Sequence, residues 1–259
     1  MNKNFLFAEY IRYLFKAKGR HGTHSAFVYE LYEKVISEGH EFYDFDELED
    51  VRKRMLHSDA TLEVIDFGAG DKRKKDRKVK DIARVTSVSP KAGRMLFRLV
   101  NYMQPKVMVE MGTSLGISAL YQAKACPDAT FITMEGSPQT TALATRNFEL
   151  MKASNIKIVT GDFSSTLPDV LKSLPSVDYV FFDGNHRKEA TLEYFKSFIT
   201  RASDNCVFVL DDIRWSRGML EAWNEIIREP RATVTIDIFS IGLVFFRKGQ
   251  AKEHFTLRF

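Results

Sequence analysis

KVMVEMGTSLGIS, residues 106–118, decides how this chain folds. An apolar run enters Glu110-Met111-Gly112, and LGISALYQAKA follows at once with a helix-like composition. A buried strand running into a glycine-bearing turn and then a helix gathers backbone N–H groups and a positive helix end at one point. An anionic part of a nucleotide-like ligand can sit there. Glycine turns after strands are frequent in α/β proteins, so the motif takes its meaning from what surrounds it.

Outward from this turn, strand and helix patterns alternate to about residue 228. Strand-like runs are VMVEM (107–111), TFITME (130–135), IKIVTG (156–161), DYVFFD (178–183) and CVFVLDD (206–212); helical stretches lie near 116–125, 138–153, 165–174, 187–202 and 216–228. Near-continuous apolar strands separated by helices predict a parallel sheet buried on both faces. The end differs: TVTIDIF (233–239) and GLVFFR (242–247) are joined by only Ser240 and Ile241, which permits an antiparallel hairpin and no crossover. Upstream, Ser89-Pro90 opens a helix with a stripe of Met95, Leu96, Leu99, Val100 and Met103, and Pro105 ends it.

Ligands of a parallel sheet gather at the carboxyl ends of its strands. Those ends read Glu110 with Gly112, Glu135 with Gly136, Gly161 with Asp162, Asp183 with Gly184, and Asp211 with Asp212. Carboxylates lined along one rim repel each other unless ligands or cations organise them. Glu135, about 20 residues past the glycine turn, is placed to accept both hydroxyls of a ribose. Asp162 could accept from an exocyclic adenine amine with Phe163 against the ring, or simply cap the next helix. Glu110 and Ser118 flank the turn where a ligand's charged head would lie.

Before residue 89 the reading is less directed. Residues 1–57 read as helical and aromatic-rich, suited to a lid, a twin subunit, a membrane surface or plain packing on the main domain, the last being expected. His21 and His24 have a spacing that admits a metal, although turn and capping roles are commoner. LEVIDFGAG (62–70) imitates the strand-and-glycine motif, but DKRKKDRKVK follows without an apolar face, so a helix-to-loop extension is expected. The basic run Lys72, Arg73, Lys74, Lys75, Arg77, Lys78 and Lys80 could track phosphates. No aromatic residues interleave with it, so a solvated loop is expected and nucleic acid is disfavoured as a partner.

The 259 residues, 44% of them hydrophobic, suffice for one large α/β domain plus an extension. No apolar run approaches the roughly 18–20 residues that span a bilayer. MNKNFLFAEYIRYLF is interrupted by Glu9 and Arg12 and lacks a small-residue cleavage site, so a cytoplasmic protein is expected. Cys126 and Cys206 lie in or beside apolar segments without CxxC spacing and read as free buried thiols.

Taken together, VEMGTSLGIS (109–118), TMEGSP (133–138), GDFSSTLP (161–168), DYVFFDGNH (178–186), VLDDI (209–213) and the terminal hairpin resemble the class I S-adenosylmethionine-dependent methyltransferases. Within that class they are similar to the catechol O-methyltransferase-like small-molecule O-methyltransferases, over Ser89 to Lys248. The resemblance implies a Rossmann-like, mostly parallel seven-stranded sheet with an antiparallel last strand and helices on both faces. Residues 89–259 would form the cofactor-binding domain, behind an N-terminal helical extension or lid at 1–88.

It also implies roles. Gly112, Thr113 and Ser114 would approach the methionine portion of S-adenosylmethionine, and Ser118 its carboxylate; Glu135 with Gly136 would hold the ribose, and Gly161, Asp162 and Phe163 the adenine. Asp183, Asp211 and Asp212 correspond to positions that hold magnesium, manganese or a similar ion in metal-dependent members. Asp212 stands where those members usually have Asn, and the extra negative charge puts the metal in doubt. His186 stands where they commonly have a lysine base, and a histidine there can take a hydroxyl proton near neutral pH. Asp183 could also contact the cofactor's ammonium group, and Trp215 could wall an aromatic acceptor. The expected partner is a small-molecule acceptor, with a homo-oligomer left open. Two other readings remain: an RNA or other nucleic-acid methyltransferase or binding protein using residues 72–80, and a non-catalytic protein that retains the fold.

Overall fold

The computed structural model describes residues 3–19, 24–37, 39, 41–65 and 74–259. In chain order its helices and strands are α1 (Lys3–Lys16), α2 (Ala26–Leu31) running into a π-helical turn (Tyr32–Ile36), α3 (Asp44–His57), β1 (Thr61–Ile65), β2 (Lys74–Lys78), α4 (Val79–Thr86), α5 (Pro90–Met103), β3 (Val107–Met111), α6 (Ile117–Ala125), β4 (Thr130–Glu135), α7 (Pro138–Leu150), β5 (Ile156–Thr160), α8 (Phe163–Ser173), β6 (Val177–Phe182), α9 (Lys188–Ile199), β7 (Ala202–Leu210), α10 (Arg217–Arg228), β8 (Val234–Asp237), β9 (Gly242–Phe245) and β10 (Glu253–Thr256). They form two compact units, Gly39–Leu174 and a discontinuous one of Met1–Glu38 with Pro175–Phe259. Residues 1–38 fall in the discontinuous unit and residues 39–88 in the other.

In the first unit β3, β4 and β5 pair in parallel, with Glu110 opposite Thr133 and Glu135 opposite Thr160. Ser89 caps α5 by accepting from the Ala92 N–H, Pro90 takes the first turn, and Gln104 ends the helix in a left-handed conformation just before Pro105. Met95, Leu96, Leu99 and Val100 are fully buried, as the stripe predicted, whereas Met103 at its end is only half-buried.

The stretch at 62–80 differs from the expected loop. Leu62–Ile65 belongs to β1, and Lys74–Lys78 is a strand paired antiparallel with it. The charges did not prevent a strand because acids accompany them: Lys74 pairs with Glu63 at 2.8 Å, and Lys78 and Lys80 with Asp59 at 3.2 and 2.6 Å. Those pairings also take three lysines away from any phosphate track. Residues 66–73, including Lys72 and Arg73, lie outside the described residues, as does His21 of the histidine pair.

In the second unit β6 and β7 are parallel, while β9 runs antiparallel to both β7 and β8. This is the expected antiparallel finish, although the connection spans residues 238–241 because β8 ends at Asp237. Two details were not anticipated. The helix read to 202 stops at Ile199, and β7 begins at Ala202 with a register shift against β6. A further strand, β10, pairs in parallel with β8. Both cysteines are free and buried. Among the described residues no helix is long and apolar enough to cross a membrane.

Arg214 and Asp237 form a buried two-pronged pair in this unit: Nη1 donates to Oδ1 at 2.8 Å and Nη2 to Oδ2 at 2.6 Å. Nη1 also donates to the Phe239 carbonyl, and the Phe239 N–H returns to Asp237 Oδ1. One ion pair thus ties the end of β8 to the segment just after Asp211 and Asp212.

Candidate active site

The glycine turn is built by backbone that only a few residues tolerate. Gly112 lies at φ 106° and Gly116 at φ 80°, and Ser114 is held at φ 47°. The Gly112 and Thr113 N–H groups both donate to the Met134 carbonyl, which pulls the turn onto β4. At Gly116 a Cβ would fall 2.5 Å from the Phe148 ring, so α6 can start there only without a side chain.

Glu135 clamps this turn. Its Oε2 accepts from the Ser114 N–H and its Oε1 from the Ser137 N–H, each at 2.8 Å. Both oxygens are thereby fixed in direction, and each carboxylate oxygen can accept a second bond. The Ser114 hydroxyl lies 2.6 Å from that of Thr86 at the end of α4. Gly136 follows directly, and Gly161, at φ 145°, donates its N–H to the Glu135 carbonyl. Asp162 caps α8, accepting from the Ser164 N–H at 3.1 Å and the Ser164 hydroxyl at 2.9 Å. The capping alternative for Asp162 is thus realised, and Phe163 opens the helix beside it.

Glu110 sits deeper than a rim position. It is wholly buried, and its carboxylate accepts from Ser118 (2.7 Å), Gln122 (2.9 Å) and Thr133 (2.6 Å). Since Thr133 spends its hydroxyl proton on Glu110, it accepts from Thr113, 2.6 Å away. This chain braces the turn from beneath and turns the Ser118 hydroxyl towards Glu110.

Burial raises the Glu110 carboxyl from 4.5 to about 7, against the lowering effect of its three donors and with the Glu135 charge adding to the rise. A folded value above the unfolded one means that stability is fully present below 4.5 and is lost as pH rises through 7. The loss is on the order of 3 kcal/mol. Urea unfolding at the two ends of this window should show Glu110→Gln lacking that component of the wild-type slope. Parallel profiles would mean that Glu110 is not the titrating group.

The second cluster belongs to the other unit. Asp183 follows β6, and His186 Nε2 lies 3.7 Å from Asp183 Oδ1 and 3.9 Å from Asp212 Oδ2. Asn185 and Asp212 hold left-handed backbone at φ 56° and 54°, and these bends set the loop directions. Asn185 is anchored on both sides, donating to the Tyr194 hydroxyl and accepting from Arg187 Nε. Burial lowers the His186 value below 6.5, with Asp212 opposing, so the neutral, proton-accepting ring is favoured. Burial raises Asp212, with His186 opposing. The half-exposed Trp215 ring lies 6.1 Å from that of His186.

Among the described residues no three His, Cys, Asp or Glu side chains are gathered to hold an ion. Asp211 Oδ1 accepts from the Asp212 N–H at 2.9 Å, and burial followed by the Asp212 charge raises its carboxyl to about 7.

Residues 109–213 match the family described as a methyltransferase domain, and they take in both clusters. A catechol O-methyltransferase of Niastella koreensis is 30% identical to the chain over 130 residues, covering 49% of this chain and 58% of its own length. Another, of Mycobacterium tuberculosis, is 29% identical over 136 residues, covering 52% and 60%. The chain therefore spans 58% and 60% of these relatives. The solved O-methyltransferase of Bacillus cereus in complex with SAH is similar in fold, with TM-score 0.57, 18% identity and coverage of 80% of this chain and 92% of that one.

Several parts of the network around the glycine turn carry weaker signals in the sequence. Thr133 had a usable signal, since parallel pairing of 107–111 with 130–135 sets it opposite Glu110. Gln122 lies one helical turn beyond Ser118, a spacing that puts both on one face of α6. Thr86 and Ser137 had none.

Proposed function

We propose that the chain is a cytoplasmic S-adenosylmethionine-dependent methyltransferase that methylates a hydroxyl oxygen of a small molecule. The carrying observation is the Glu135 carboxylate, fixed by the Ser114 and Ser137 N–H groups at the mouth of a strained glycine turn. Such a carboxylate suits a vicinal diol: two oriented acceptors for two hydroxyl donors. Gly112, Thr113 and Ser114 would contact the methionine portion, with Glu110 and Ser118 supporting them, and Gly136, Gly161, Asp162 and Phe163 would border the base.

S-adenosylmethionine, when bound, supplies an electrophilic methyl group on a sulfonium sulfur. His186 would take the acceptor's hydroxyl proton as the oxygen–carbon bond forms and the carbon–sulfur bond breaks, its electron pair leaving with sulfur as a neutral thioether, and Asp183 and Asp212 would stabilise the resulting imidazolium. Asp183 could also meet the cofactor's ammonium group. Residues 1–88 would shape the acceptor pocket, with Trp215 walling an aromatic acceptor. The catechol O-methyltransferase relatives support a phenolic hydroxyl as the first acceptor to try.

Glu135→Ala should weaken S-adenosylmethionine binding by roughly 1–3 kcal/mol through loss of a charged acceptor. Calorimetric titration checks this, and unchanged affinity would remove the ribose assignment.

A further inference from the structure

Helix α1 turns one face inward and another to solvent, and the outward face is the unusual one. Glu9, Tyr13 and Ala17 are buried on the inner side. The Tyr13 hydroxyl donates to the Leu257 carbonyl at 2.5 Å and accepts from the Phe259 N–H, so the helix is pinned in this orientation. Outward, Phe7, Tyr10, Ile11, Leu14 and Phe15 are all exposed, Phe7 by 67% and Phe15 by 88%. Their spacing of i, i+3, i+4, i+7 and i+8 makes one continuous apolar stripe.

The charges beside that stripe are of a single sign. Lys3, Arg12, Lys16 and, just past the helix, Lys18 are exposed, whereas the helix's one acid, Glu9, is buried and paired with Arg12. A second copy docked about a two-fold axis would set this cationic helix against itself. An anionic lipid headgroup layer would neutralise it, while the aromatic and aliphatic tips entered the acyl boundary. We propose that α1 is a peripheral membrane anchor that lies flat on an anionic bilayer surface. Lys3 and Lys18, exposed at the two ends of the stripe, would reach phosphates from an apolar face sunk below them.

The test is flotation of the purified full-length chain with vesicles of phosphatidylcholine alone and of phosphatidylcholine mixed with phosphatidylglycerol. The chain should float with the anionic vesicles only, and increasingly less as salt is added. Phe7→Glu/Phe15→Glu, at two exposed positions that leave the inner face intact, should reduce partitioning roughly ten-fold or more. Lys16→Glu/Lys18→Glu should weaken it on anionic vesicles, and circular dichroism should show both variants folded. Failure to float with anionic vesicles at low salt would overturn the proposal. So would a wild-type dimer that Phe7→Glu/Phe15→Glu converts to monomer without any vesicle binding, because a second copy would then cover the face.

Discussion

His186→Ala should lower turnover roughly 10²–10⁴-fold, the usual contribution of a positioned general base, and leave S-adenosylmethionine affinity unchanged. The expectation rests on two features of the ring. Burial holds it neutral, ready to accept a proton, and carboxylates at 3.7 and 3.9 Å would receive the charge once it forms. Single-turnover methyl transfer to a catechol reads the first effect and calorimetry the second. A variant with wild-type turnover would move the proton acceptor elsewhere. The same assay in EDTA should show full activity, since the Asp211 carboxylate is engaged by its own chain. Loss on chelation with recovery on adding magnesium or manganese would return Asp183, Asp211 and Asp212 to metal binding.

Asp237→Ala should destabilise the fold by about 3–5 kcal/mol, the range seen when one member of a buried ion pair is removed. Arg214 and Asp237 are both buried, and truncation leaves a guanidinium with only the Phe239 carbonyl and the neighbouring Tyr13 and Phe239 rings. The pair itself need not be stabilising relative to apolar packing. Arg214→Met/Asp237→Leu should therefore recover most of the loss in a denaturant titration. A single variant as stable as wild type would show that water reaches the site.

The strands around the glycine turn were legible because β3 and β4 are mostly apolar, as burial on both faces requires, while β5, with Lys157 exposed, was legible from its spacing after them. The hairpin at 234–245 was legible because its short connection excludes a crossover. Glu110 was harder. Its place on the rim followed from strand position, but its burial depends on Ser118, Gln122 and Thr133 converging from α6 and β4. The carboxylates at 211–212 were legible by pattern, whereas their directions depend on one backbone N–H and a left-handed residue that no composition announces. Charge pairs across β1 and β2, and a four-residue β10 reading EHFT, carry no hydrophobic signal at all.

The pinning of α1 bears on how the protein is made. Tyr13 and Leu257 are 244 residues apart, so α1 waits for the segment just past β10 before its inner face is covered. Gly39–Leu174 is continuous and can condense during that wait, whereas Met1–Glu38 cannot complete its unit until Pro175–Phe259 has been synthesised. Between the synthesis of those two segments the nascent chain therefore displays a helix apolar on both sides. Such a segment is a natural client for a ribosome-associated chaperone.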